Sequence, residues 1–565
     1  MTLLSTLQLA KNALFASQLG IQVAANNISN ADTPGYVREK VVLSPAPTQQ
    51  LGQVVTGTGV QVDGVVRQVD TFLQERLRSA ISDLSSGEAR QQAYVRLETV
   101  VGELNKSDLS TSITQFFGSL QDVLNQPETA AVRNLAVLRG AALSEQIQHL
   151  DDRVRELRKS VNDQIVSSVN DINSSITEIS KLNLQVMEVE QGGGIASDAV
   201  GLRDRRDEIL KKLAEMVNIQ VDEQESGAVN VFVGGDYLVF DGMTQTVNVI
   251  PRADHDLTIA DLHLSKSDAK LNATSGKIAG LVSARDDVLA GFLDDLNAFT
   301  QTMMFEFNRI HASSQGLSGY QDLVSEFAVN DTSQPLDDTG LTFTPEHGSF
   351  DVQVLNQATG ITETHSIRVQ LNGLDDDTTL ADMAAQLDAI DGMSATIRYD
   401  NRLELTADSS DLEFAFANDT SGVLAALGIN TFFSGTGATD IVVSTTLQAD
   451  PGKLAYSRDG VGKDTLNGEQ LASLATTPLD SRGGATLSQV YEQWIGETAQ
   501  AASLANAVKD GFQAFKDTLE GDHLALSGVS LDEEAVNMIT FQRTFQAAAK
   551  VISTVNELLN VLVNL

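Results

Sequence analysis

Both ends of this 565-residue chain carry apolar side chains at alternating steps of three and four, and no other feature narrows its fold as much. At the N-terminus the series is Leu3, Leu7, Ala10, Leu14, Ser17, Ile21, Ala24 and Ile28. At the C-terminus it is Met538, Phe541, Phe545, Ala548, Ile552, Val555, Leu559 and Leu562. A 3-4 step lays a narrow seam along a helix, the pattern of a coiled-coil partner. Neither helix carries an opposite seam that would bury it in a large core. The terminal helices are expected to pair with each other or with copies of themselves. A chain with an interaction helix at each end reads as a subunit built to assemble.

Charge is distributed to suit. The formal net charge is −38, yet residues 1–80 hold six basic and five acidic side chains, and residues 526–565 two basic and four acidic. Nearly all the excess sits in the middle. Near-neutral ends pack against copies without strong repulsion, while the acidic middle stays solvated. Such acidity argues against nucleic acid or anionic membrane as partner. There is no cysteine, hence no disulfide framework and no thiolate metal site. No run of about 18 apolar residues would span a membrane. The N-terminus lacks a charged n-region, a continuous apolar core and a small-residue cleavage site, so a chain of this kind, if it leaves the cell, does so without a standard cleaved signal.

Length alone suggests roughly four domains of about 150 residues. The first helix ends in Asn30-Ala31-Asp32-Thr33-Pro34-Gly35, where Pro34 biases Thr33 away from helix and Gly35 frees the turn. Short apolar runs, Val60 to Val62 and Val65-Val66, read as strands or an extended arm. Helix resumes near Val69. A run from about Thr129 to Glu190 keeps Leu143, Ile147, Leu150, Val154, Leu157 and Val161, then Ile172, Ile176, Ile179 and Leu182, on one stripe. At 1.5 Å per residue, such a helix spans roughly 90 Å. Gly192-Gly193-Gly194 ends it. A helix over Leu202 to Val217, a β-rich stretch from Ile219 to Ile250 and a helix from Gly276 to Ala312 follow. Between about 335 and 435 the pattern alternates in strand fashion, as in Phe350 to Val354, Ile367 to Leu371, Ala395 to Tyr399 and Leu403 to Leu405, around a short amphipathic helix at Thr379 to Ile390. Strand-like Ile441 to Val443 and a long helix at Leu487 to Leu519 return to the earlier style. Ser530 with Glu533 predicts a capping box at the start of the last helix, and Asp532, Glu533 and Glu534 complement its dipole.

The expected fold is therefore α+β and multidomain. Residues 1–80 plus 526–565 form an axial unit of paired terminal helices, coiled-coil-like, with an extended arm. Residues 81–334 plus 436–525 form a long-helix bundle domain with a β-rich part. Residues 335–435 form an inserted small α+β outer domain.

Motifs for chemistry are weak. His255 and His263 lie eight residues apart in an acidic stretch and read as surface histidines. Asp375-Asp376-Asp377 lacks the spacing and closing glutamate of a calcium loop and reads as a solvated turn. Gly460-Val461-Gly462-Lys463-Asp464 lacks the first glycine of a phosphate loop, and Asp464 replaces its Ser/Thr, so it reads as a turn. No Gly-x-Ser-x-Gly elbow occurs. Trp494, the single tryptophan, is expected to pack. No catalytic residue, cofactor or metal site is assigned.

Ala24-Ala25-Asn26-Asn27-Ile28-Ser29-Asn30-Ala31-Asp32-Thr33-Pro34-Gly35-Tyr36 resembles the N-terminal signature of bacterial flagellar rod, hook and hook-associated proteins. Ser527 to Glu534, Phe541 to Ile552 and the ending Leu562-Val563-Asn564-Leu565 resemble their C-terminal signature. Leu380 to Leu405 is similar to a repeat of hook-associated proteins and flagellins. Chain length, the long helices and Arg38 shortly after Tyr36 point to the hook–filament junction member. The resemblance implies a structural subunit joining hook to filament, extracellular, exported unfolded through the flagellar type III apparatus. It implies terminal helices in the inner tube, the helical domain in the next shell and the insertion facing outward. Implied partners are copies of itself, hook protein, hook-associated protein 3 and an export chaperone near the C-terminus. The signature residues Asn26, Asn27, Asn30, Thr33, Pro34, Gly35 and Tyr36, and the seam residues above, are the candidate assembly positions. Two other classes stand beside this reading. One is a hook or rod subunit, whose middle would be mostly β. The other is a secreted enzyme on flagellar-type ends, which a cleft with converging titratable groups would mark.

Overall fold

The computed structural model describes residues 3–51, 54–102, 108–191, 196–197, 199–255, 257–374 and 376–563. The Gly192–Gly194 break, Asp375, Asn564 and Leu565 lie outside these residues, and so does the side chain of Leu562. The fold is α+β and multidomain, with long helices at both ends. It divides into two compact units, residues 1–93, 159–288 and 503–565, and residues 94–158 and 289–502.

In the first unit the N-terminal helix (Leu3–Ser29) packs along the C-terminal helix (Leu531–Val563). The chain then turns into an antiparallel strand pair, Glu39–Pro45 with Val60–Arg67, bulged between Val42 and Leu43. A four-stranded meander runs through Gln220–Glu223, Val229–Val233, Asp236–Phe240 and Met243–Thr244. A long hairpin follows, Val247–Asp254 against Leu257–Leu264. Its second strand extends the β-rich stretch beyond the expected Ile250, and Ala260, Leu262 and Leu264 bury on alternating positions along one face of it.

The long helix runs from Ala130 to Gln191, 62 residues. Its apolar stripe is buried at Leu143, Ile147, Leu150, Val154, Val161, Ile172, Ile176, Ile179 and Leu182. Leu157 is only half-buried, and Arg158 beside it is buried.

The expected Gly276–Ala312 helix is three pieces: α-helix at Gly276–Ser283, a π segment at Ala284–Leu289 and α-helix at Ala290–Ala312. An extra residue per turn is what a π segment accommodates. Here it places buried Arg285, whose Nη1 donates to Asn162 Oδ1 at 3.0 Å and Ala260 O at 2.7 Å, with Asp286 taking the other edge.

The second unit holds an aromatic core and an α+β part. Phe116, Phe307, Phe432 and Phe433 have ring centroids 4.8–5.6 Å apart. Trp494 packs on Phe292, Phe299 and Tyr491. The α+β part has two sheets. One sets Gly348–Asn356 between Ile361–Val369 and Leu412–Ala417, and the other sets Leu403–Ala407 between Asp322–Val324 and Met393–Ile397. The Leu380–Asp388 helix starts with a capping box of Thr379 and Asp382. Its core also draws in Ala312, Tyr320 and Val329, which precede residue 335.

Candidate assembly interface

The two terminal seams face one another. Leu3, Leu7, Leu14, Ile21 and Ile28 are half-buried, with Ala10, Ser17 and Ala24 buried between them. On the partner helix Met538, Phe541, Phe545, Ile552 and Leu559 are half-buried, and Ala548 and Val555 are buried. The small residues decide the spacing. A Cβ at Gly20 would stand 2.7 Å from the Phe541 ring, so the ring lies directly against the Gly20 backbone. The faces turned away from this pair stay apolar and exposed: Leu4 and Phe15 on one helix, and Leu531, Val536, Ile539, Val551, Leu558 and Val561 on the other.

The seam closes on a polar clamp. Asn27 is fully buried. Its Nδ2 donates to Glu39 O at 2.9 Å and to Glu534 Oε2 at 3.1 Å. Its Oδ1 accepts from the Tyr36 hydroxyl at 2.7 Å and the Glu39 amide at 3.0 Å. One amide side chain thus fills its bonding capacity by joining the first helix, the following turn, the first strand and the last helix.

Beside it Arg38 holds the start of the last helix. Its Nε and Nη2 reach Glu534 Oε1 at 2.9 and 2.7 Å, and its Nη1 reaches Glu533 at 2.7 Å. The Arg38 amide donates to Ser527 O at 2.9 Å. Ser530 Oγ accepts from the Glu533 amide at 3.5 Å. The Glu533 carboxylate goes to Arg38 and does not return to the cap, so only half of the expected capping box forms among the described residues. An ion pair to a neighbouring element wins over a local bond on an exposed helix start.

The turn between helix and strand is self-bonded. Asn30 Nδ2 donates to Asn26 O and Oδ1, both at 3.0 Å. The Thr33 amide donates to Asn30 O at 2.9 Å and the Tyr36 amide to Thr33 O at 3.2 Å. Gly35 has φ of +79°, a conformation that glycine adopts without strain, and Pro34 is exposed. Behind the clamp Arg67, buried, pairs with Asp204 at 3.0 Å and Asp207 at 2.7 Å. The Val37 amide donates to Asp204 at 3.4 Å.

Burial, with the carboxylates of Glu39, Asp204 and Glu534 nearby, holds the Tyr36 phenol protonated well above its ordinary range. Burial also raises Glu39 and Asp204, the latter against the pull of Arg67. At Arg38 burial works to lower the pKa, and the bonds to Glu534 and Glu533 outweigh it, leaving the guanidinium more firmly charged.

The other sequence candidates fall elsewhere. His255 pairs with adjacent Asp254 at 2.6 Å, and His263 Nδ1 bonds Asp268 O at 2.8 Å. Asp377 accepts from the Asn372 and Gly373 amides, a loop-closing role. Asp464 accepts from the Arg458, Asp459 and Leu466 amides, which makes its glycine-rich stretch a turn. Among the described residues no group of three His, Asp or Glu side chains is set to hold a metal ion, and no helix is long and apolar enough to cross a membrane. Glu39, Asp204 and Asp207 were not singled out in the sequence. Asn27, an amide inside an apolar helical stripe, was the one local sign of a buried polar junction.

Three family models match parts of the chain. The flagellar hook-associated protein FlgK helical domain matches residues 94–324. The flagellar basal body rod FlgEFG protein C-terminal region matches 521–565, and the flagella basal body rod protein matches 7–36. Flagellar hook-associated protein 1 of Escherichia coli (strain K12) is 24% identical over 576 residues, covering 98% of this chain and 98% of that one. Along nearly its whole length the chain is similar to flagellar hook-associated protein 1. Flagellar hook-associated protein 1 of Bacillus subtilis (strain 168) is 25% identical, covering 99% and 97%. The flagellar hook junction protein FlgK from Burkholderia pseudomallei, a solved structure, aligns at 17% identity and TM-score 0.49 over 80% of this chain and 100% of that one. The matches to rod-type models at 7–36 and 521–565 fall on the helices joined by the Asn27 clamp. The hook-associated signature is thus, in this chain, a device that ties its two ends together.

Proposed function

We propose that this chain is the structural subunit that joins the bacterial flagellar hook to its filament. The observation that carries the reading is the clamp of Asn27, Arg38 and Glu534, which makes one unit of two termini, together with a match to hook-associated protein 1 relatives along nearly the full length. Residues 1–80 and 526–565 act as the axial unit. The facing seams hold the pair together, and the exposed stripe of Val536, Ile539, Leu558 and Val561 meets neighbouring copies. Residues 81–334 with 436–525 form the helical domain, and the α+β part faces outward. The subunit leaves the cell through the type III apparatus without a cleaved signal and acts outside it. Its partners are its own copies, hook protein below, hook-associated protein 3 above and an export chaperone near the C-terminus. The role is mechanical, with no reaction to catalyse. Electron microscopy of hooks from cells lacking the chain tests this: hooks should end bare, with flagellin lost to the medium, and the restored gene should return filaments. Filaments on hooks that lack the chain would overturn the reading.

A further inference from the structure

The loop between the Ile361–Val369 strand and the Leu380–Asp388 helix holds Asn372-Gly373, one of two Asn-Gly pairs in the chain. When a backbone nitrogen attacks the side-chain carbonyl carbon of the asparagine before it, a succinimide ring closes. Glycine hinders that closure least, having no Cβ. Asn372 and Gly373 are both exposed. Gly373 has φ of +76°, and a Cβ built on it would meet nothing within 4 Å, so the approach is open. Two contacts favour the attack. Asn372 Oδ1 accepts from the Leu374 amide at 3.1 Å, which polarises the carbonyl and stabilises the oxyanion formed on attack. The Gly373 amide donates to Asp377 Oδ2 at 2.8 Å, which aims the proton to be removed at a carboxylate. Asp377 is buried, and its Oδ1 accepts from the Asn372 amide at 2.7 Å, so the base is held in place.

The second pair, Asn467-Gly468, has the opposite surroundings. It lies in the Leu466–Ser473 helix, whose backbone is fixed by its own hydrogen bonds. Asn467 is buried, and its Nδ2 donates to Ser314 Oγ at 2.7 Å. The Gly468 amide donates to the Tyr456 carbonyl at 3.1 Å, an acceptor too weakly basic to take up a proton. A Cβ at Gly468 would stand 2.1 Å from the Tyr456 ring, so the nitrogen is crowded as well. The same dipeptide is thus set for reaction in one place and held against it in the other.

We propose that Asn372-Gly373 is a self-modification site, with Asp377 as the base and water as the only other reactant. The Asp377 carboxylate takes the Gly373 amide proton as Gly373 N bonds to Asn372 Cγ. The Cγ–Nδ2 bond then breaks, and Nδ2 leaves as ammonia with the proton that Asp377 returns. Water opens the succinimide at either carbonyl and leaves aspartate or isoaspartate at position 372, with no change of oxidation state. Either product sets a new negative charge beside Asp377. Isoaspartate also routes the main chain through an added methylene, so the two amides no longer match one carboxylate. The loop leading into the Thr379 cap is loosened as a result. The site acts within one copy and does not depend on the assembly reading.

Incubation of the purified full-length chain in warm, mildly alkaline buffer tests it, once folded and once in guanidinium chloride. Peptide mapping by mass spectrometry follows both pairs, and enzymatic methylation of isoaspartate gives a second readout. In the folded chain Asn372 should convert faster than in denaturant, while Asn467 should convert in denaturant alone. Asp377→Asn removes the base and should bring the folded-state rate at Asn372 down to the denatured rate or below it, whether or not the loop keeps its shape. Asn372→Gln should abolish both signals at that position. A folded chain in which Asn372 converts no faster than in denaturant would overturn the proposal. An Asp377→Asn chain that converts as fast as the unaltered one would overturn it too.

Discussion

Asn27 closes the two termini, and its cost when removed is predictable. Asn27→Ala removes the acceptor of the part-buried Glu39 amide, at about 1–3 kcal/mol for an unsatisfied group, and takes one bond from the Tyr36 hydroxyl, which keeps the Glu39 carboxylate. We expect faster amide exchange at Glu39 and a lower unfolding temperature for the first unit. Asn27→Asp should be worse at pH 7, because it sets a carboxylate against Glu534. A thermal melt that ranks Asp above Ala would contradict the clamp. A second residue sets a pH dependence in the other unit. His311 is fully buried, with Nδ1 donating to Asn430 O at 2.8 Å and Nε2 accepting from the Ala455 amide at 3.0 Å, and burial pulls its pKa down to about 4. The folded state therefore binds its proton less readily than the unfolded chain. The stability this contributes is present above about pH 6.5 and is lost as pH falls toward 4, on the order of 3 kcal/mol in all. His311→Gln should flatten that part of the pH profile, and an unchanged slope between pH 6.5 and 4 would count against a neutral buried imidazole. The sequence displayed the signature residues but not their partners. Asn27 and Glu534 are 507 positions apart, and no local pattern reports such a pairing.

Helices were the most legible elements, because apolar period survives in the sequence whenever one face is buried. The terminal seams, Leu562 apart, and most of the long-helix stripe appear on buried or half-buried positions for that reason. The π segment at Ala284–Leu289 left no such trace, since one added residue per turn shifts the period by less than a short window resolves. The Leu257–Leu264 strand went unread although its alternation is present, because the polar Asp254-His255 turn before it resembles the start of a loop. The helix pair makes a sharp comparison possible. Gly20→Leu would drive a side chain into the Phe541 ring and should separate the helices, lowering the unfolding temperature of the first unit by several degrees. Gly118→Ala, on an exposed helical position with nothing within 4 Å of the added Cβ, should instead stabilise by about 0.5–1 kcal/mol. Differential scanning calorimetry of the two variants reads both signs at once.

Across the chain as a whole, composition separated a helical style from an alternating one, but the core does not follow those edges. Tyr320 and Val329 belong to the α+β core, while Phe432 and Phe433 belong to the aromatic cluster with Phe116 and Phe307. A deletion of residues 335–435 would therefore open two cores, and we expect it to unfold at lower temperature. A cut placed between Gln315 and Asn430 should leave the aromatic cluster intact, because Asn430 Nδ2 donates to Ser314 O at 2.9 Å and so brings the cut ends together. Circular dichroism melts of the two deletions decide between these outcomes. Packing across distant sequence is the information that alternation cannot carry. The central claim is that the paired termini assemble the junction while the remaining cores fold without them. Phe545 lies half-buried in the seam, where a carboxylate is disfavoured against the apolar side chains of the first helix. Electron microscopy of hooks from cells producing Phe545→Asp as their only copy tests the claim most directly. Bare hooks are the predicted result, and hooks carrying filaments of ordinary length would contradict it.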